Sequence, residues 1–73
     1  MQSLLERLIE IQQDAGLSDA DFAKQKLGVS RQQWQFNKAG TRNIGGRTLN
    51  GILWNMPELA PEILVYLRQK NGE

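Results

Sequence analysis

A chain of 73 residues with a net charge of +1 has room for one domain and a modest core. It contains no Cys and no His, which excludes a disulfide framework, a thiolate zinc site and the commonest general base. No apolar run approaches a membrane span and the N-terminus has no basic-then-apolar leader, so a cytoplasmic protein without cofactor or metal is expected.

The first element is an amphipathic helix. Leu4, Leu8, Ile11 and Ala15 recur at helical spacing, with Leu5 and Ile9 beside them and Glu6, Arg7, Glu10, Gln13 and Asp14 on the other side. Ser3 is its candidate cap and Gly16 its stop. A second helix starts at Ser18, with Asp21 placed to reach back as in a capping box, and ends at Leu27-Gly28. Phe22, Ala23 and Leu27 are its inward residues. Ser30 then caps a third helix, Arg31 to Lys38, which Ala39-Gly40 ends. The stretch from Thr41 to Arg47 has no apolar period and carries Gly45-Gly46, which reads as a flexible loop in preference to a phosphate-cradling nest. Leu49, Ile52 and Leu53 define a fourth helix with Thr48 near its start and Met56-Pro57 at its end. Pro61 suits the first position of a fifth, carried by Ile63, Leu64 and Leu67. No strand-like alternation occurs. The expected class is all-α, one compact five-helix domain over residues 1–73.

The net charge hides a partition. Met1 to Asp21 carries −4, Phe22 to Pro57 carries six bases and no acid, and Glu58 to Glu73 carries −1. An acid-free window of that length in a near-neutral chain marks a polarised surface, which is a statement about partners. Within it lies LGVSRQQWQFNKAGTR, from Leu27 to Arg42: too few aliphatics for a core segment, yet a Trp and a Phe among cations and glutamines. Around it, small Ala23, turn residue Gly28, apolar Val29, cap Ser30 and anchor Trp34 form a helix-turn-helix pattern over about residues 18–38. That motif carries its second helix into the DNA major groove.

The segment LSDADFAKQKLGVSRQQWQFNKAGTR, followed by RTLNGIL, resembles the helix-turn-helix family of lambda repressor and Cro, often called Xre-type. Leu17, Ser18, Phe22, Ala23, Leu27, Gly28, Val29, Ser30, Trp34, Gly40, Arg42, Leu49 and Ile52 fill the family's pattern, over about half the chain. Two departures stand out. The family has three residues between the small Ala and the turn Gly, and this chain has four, Lys24 to Leu27, which implies a longer second helix or a wider turn. The family also places an aliphatic three residues after the Trp34 position, where this chain has Asn37 and offers Phe36 next to it; Phe36 either turns inward or faces DNA.

With Trp34 inward, a helical wheel turns Arg31, Gln32, Gln35 and, in one of those two alternatives, Phe36 outward. Gln pairs with adenine N6/N7 and Arg with guanine O6/N7 in the major groove, and an outward Phe36 meets a thymine methyl. Ser30 is both a cap and a phosphate contact. Lys38, Thr41, Arg42 and Arg47 hold phosphates, which positions the domain without reading sequence. Gln33 completes the candidate DNA-binding set, with Gln32, Gln33 and Gln35 as plain surface helix formers the competing reading. Lys24 and Lys26 read as solvated decoration, and Trp54 and Tyr66 as core or dimer interface. No constellation suggests catalysis, so no enzyme is expected. The resemblance implies a phage or prophage Cro-like repressor, acting in a bacterial cell or phage-infected host, homodimeric on a double-stranded operator. The region of Trp54, Met56, Leu59, Tyr66 and Leu67 is the first place to seek the dimer surface. The alternative is an antitoxin-like or protein-interaction module on the same fold.

Overall fold

A computed structural model describes residues 3–71, with side chains through 69. Helix α1 spans Leu4–Ala15. Its N-terminus is closed by a full capping box: the Glu6 N–H donates to Ser3 Oγ at 3.1 Å and the Ser3 N–H donates to Glu6 Oε1 at 2.8 Å. Helix α2, Asp19–Phe22, is capped on one side only, by the Asp21 N–H on Ser18 Oγ. It continues as a π turn over Ala23–Leu27. Helix α3 spans Arg31–Ala39, with Ser30 Oγ accepting the Gln33 N–H. Helix α4 spans Gly46–Asn55, a 3₁₀ turn follows at Pro57–Leu59, and helix α5 spans Ala60–Asn71. The five helices are those expected, and the described residues contain no strand.

The extra residue before Gly28 is absorbed by a wider turn. The N–H groups of Gly28 and Val29 both end on the carbonyl of Ala23, so the turn closes one residue or more beyond an α turn. Phe22, Ala23 and Leu27 are all completely buried. Gly28 then reverses the chain with φ of 70°, a left-handed conformation that a Cβ disfavours.

Trp34 is the centre of the core. Its ring is fully buried, with its centroid 5.2 Å from that of Phe22, and its indole N–H donates to Gln12 Oε1 at 2.9 Å. Leu4 and Leu8 reach this core from α1, Leu49, Ile52 and Met56 from α4 and its end, and Leu59 and Ile63 from α5 and its approach. The radius of gyration, 11.4 Å, matches the roughly 11 Å of a folded domain this long, so α5 is packed down and not splayed out. Among the described residues no helix is long and apolar enough to cross a membrane.

Several expected positions are corrected. On α1 the buried stripe is Leu4, Leu8 and Gln12; Ile11 is half-buried and Ala15 exposed. Helix α4 begins at Gly46, before Thr48, and Gly45 is its cap, so the glycine pair belongs to a helix start. Pro61 falls one residue inside α5. Ile44 plugs the core from the loop, and the Tyr66 hydroxyl donates to its carbonyl at 2.9 Å. Leu53 is turned outward, and Trp54 is 86% exposed, so Trp54 is no part of the core. Met56 and Leu59 are buried within the chain and are not free for a partner.

Gln12 spends both ends of its amide. Besides accepting from Trp34, its Nε2 donates to the Leu17 carbonyl at 3.1 Å and to Asp19 Oδ1 at 2.8 Å. A Gln12→Leu variant is more apolar, yet it strands the buried indole N–H. It is expected to lose about 1–3 kcal/mol, read as a lower urea midpoint at unchanged slope.

Candidate nucleic-acid interface

Helix α3 has a held face and an open face. Trp34 and Asn37 are buried. Asn37, standing where an aliphatic was expected, does a polar job: its Nδ2 donates to the carbonyls of Arg42 at 3.1 Å and Asn43 at 3.2 Å, while its Oδ1 is buried without a protein partner. The inward side of α3 therefore grips the core with one residue and the following loop with the other. On the open face Arg31, Gln32 and Gln35 are exposed. Phe36 takes neither of its two expected positions fully. It is half-buried at the edge, with the Arg42 guanidinium 5.3 Å from its ring centroid, a cation–π distance.

Asp19, at the start of α2, organises one edge of this surface. It accepts from Gln12, from Gln35 Nε2 at 3.3 Å and from Lys38 Nζ, which also lies 5.6 Å from the Trp34 ring centroid. Lys38 is thus half-buried against α2 and already ion-paired, while Thr41, Arg42 and Arg47 are exposed. Of the six bases in the acid-free window, Lys38 is the one with an ion pair among the described residues. The hydrogen bonds from Lys38 and Gln12 hold the Asp19 carboxyl at about 2, below its ordinary 3.8.

A second feature joins α3 to α4. A cleft of about 400 Å³ is lined by Val29, Ser30 and Gln33 on one side and by Gly45, Gly46, Arg47 and Thr48 on the other. Both helices begin here, and neither has an acid in its first turn. Gly45 supplies no side-chain cap, so the first N–H groups of α4 lack both an intrahelical acceptor and a capping oxygen. Helix starts of this kind attract anions. Ser30 and Gln33 border the cleft, as does Arg47, so these three candidates share one concavity; Arg31, Gln32 and Gln35 share the adjoining outer face of α3. Asp19, Asn37 and the α4 N–H groups were not among the sequence candidates. The glycine pair was the one visible signal for the last of these. No group of three or more His, Cys, Asp or Glu residues that could hold a metal ion occurs among the described residues.

The Asp19 arrangement sets an acid limit. A carboxyl depressed in the folded state stabilises above its unfolded value and loses that contribution as protons bind. Folding stability should therefore fall as pH drops from about 4 to about 2. Asp19→Asn should be less stable than wild type near neutrality and show a shallower acid slope, by urea denaturation at stepped pH.

Comparison of the chain with family models, with curated proteins and with solved structures gives no match.

Proposed function

We propose that this chain is a sequence-specific double-stranded DNA-binding transcription regulator, a Cro-like repressor of the lambda repressor helix-turn-helix type, with α3 in the major groove. One observation carries the reading. Helix α3 is gripped from behind by Trp34 and Asn37 and turns Arg31, Gln32 and Gln35 outward, next to an uncapped, acid-free start of α4. Base-reading side chains on one surface and anion-holding groups beside it are the two parts such a protein needs. Arg31 offers two parallel donors to guanine. Gln32 offers a whole amide to adenine, whereas Gln35 has one N–H committed to Asp19. Arg42, Arg47, Thr41 and the α4 N–H groups hold backbone phosphates. Repression follows by occlusion of a promoter, without catalysis.

The active form is a homodimer, since one small module buries less surface than specific binding uses. The outer side of α5 suits this role. Pro61, Leu64, Val65 and Arg68 are exposed at helical spacing, with Leu64 61% exposed and Glu58 just before them. Antiparallel pairing of two copies sets Leu64 and Val65 of one chain against Val65 and Leu64 of the other at the two-fold axis, as an isologous interface requires. The alternative reading, a protein-interaction module, is favoured by one observation, the 86% exposure of Trp54 beside outward Leu53.

Titration with a duplex library at several salt concentrations tests the proposal. Arg42→Ala should weaken all sequences alike and lower the salt slope by about 1, while Gln32→Ala should relax choice at one base pair by about 1–3 kcal/mol. If no duplex binds better than the roughly micromolar limit of non-specific binding at physiological salt, the protein is not a DNA reader, and partner capture through Trp54 becomes the question. Leu64→Glu should shift the chain to monomer by sedimentation and weaken operator binding, keep its helix content by circular dichroism, and lose the concentration dependence of the melting temperature that a dimer shows. A dimer persisting in that variant places the interface elsewhere.

A further inference from the structure

We infer that Gly51 and Asn55 of α4 are positioning residues for α3: they form a seat for the π turn of α2, and the fit of turn to seat sets where α3 lies relative to α4. The functional consequence rests on the DNA-binding reading; the geometry does not.

A turn closed one residue late is uncommon and persists where its surroundings hold it. Here the surroundings are α4. Gly51 lies in the interior of that helix, where glycine costs about 1 kcal/mol relative to alanine. Its backbone is ordinary helix, so it serves no turn. What it supplies is space. A Cβ on Gly51 would overlap the carbonyl oxygen of Leu27 and lie 2.7 Å from the carbonyl carbon, and no other described glycine has any atom within 4 Å of such a Cβ. The obstacle is backbone and cannot swing aside.

One helical turn further, Asn55 completes the seat. Its Nδ2 donates to the Lys26 carbonyl at 3.2 Å and to the Gly51 carbonyl at 2.9 Å. The last residues of the π turn thus meet α4 at two points, a steric one at Leu27 and a hydrogen bond at Lys26. Carbonyls at a helix end otherwise need water or a cap. Only Gly28, Val29 and Ser30 separate Leu27 from the first residue of α3. A shift of the π turn on α4 is therefore transmitted to Arg31 and Gln32, while Arg47 stays with α4. The relative placement of base-reading and phosphate-holding groups depends on the seat.

The test removes the extra residue. Gln25 is exposed in the π turn, and its deletion restores an α-helical count between Ala23 and Gly28. The chain has no cysteine, so spin labels on Cys replacing exposed Gln32 and Asn50 report the α3–α4 distance without DNA. The Gln25 deletion should stay helical and shift that distance distribution, and Asn55→Ala should broaden it. Gly51→Ala should lower the melting temperature sharply in the full-length chain and less in the Gln25 deletion, where closing the turn at an α-helical count is expected to draw the Leu27 carbonyl back from α4. An unchanged distance in the deletion overturns the seat, and additive destabilisation by deletion and Gly51→Ala does the same. With wild type binding an operator, the deletion should keep salt-dependent non-specific binding and lose about tenfold or more in sequence preference. Retained preference overturns the functional consequence. Failure of wild type to bind any duplex sinks the DNA reading alone, since the distance and melting measurements still decide the seat.

Discussion

A buried indole N–H must find an acceptor, and in this fold Gln12 is that acceptor. Much else depends on the one bond. With its oxygen given to Trp34 on α3, the Gln12 amide turns its nitrogen to the Leu17 carbonyl and to Asp19 at the start of α2. Asp19 in turn gathers Gln35 and Lys38 from α3. A single side chain of α1 thereby ties together the two helices that follow it. The Phe22 ring against Trp34 seals the same junction from the apolar side.

The parts of the fold governed by local rules were legible in the residues. Ser3, Ser18 and Ser30 are caps because a hydroxyl three residues before an amide can accept from it. Gly28 ends a helix because few residues tolerate its φ. Trp34 as inward anchor follows from size and spacing. Buried polar residues were not legible. Gln12 and Asn37 look like surface residues in any periodic reading, because their value lies in partners far along the chain or in loop carbonyls. Leu53 shares the helical spacing of Leu49 and Ile52 yet turns outward, because spacing alone does not say how wide a neighbour's coverage is. The additional residue before Gly28 was countable, and its resolution as a π turn depended on Gly51, which lies more than twenty positions further on.

At the candidate interface, the formal count of cations overstates the available charge and understates the available hydrogen bonding. Lys38 is neutralised by Asp19 and leaned on Trp34, so it serves the junction of α2 and α3. In exchange, the uncapped start of α4 presents backbone N–H groups that no residue count reveals. Backbone donors carry no side-chain entropy and cannot be screened by rotating away, so they suit a fixed anion better than a long flexible lysine does.

The two tryptophans sit at opposite extremes: Trp34 has no exposed surface and Trp54 is 86% exposed. Their emission is therefore separable. An aqueous quencher reaches Trp54 in the native protein and Trp34 only after unfolding. One spectrum thus carries two independent reporters, one for the integrity of the α1–α2–α3 junction and one for whatever docks on the end of α4.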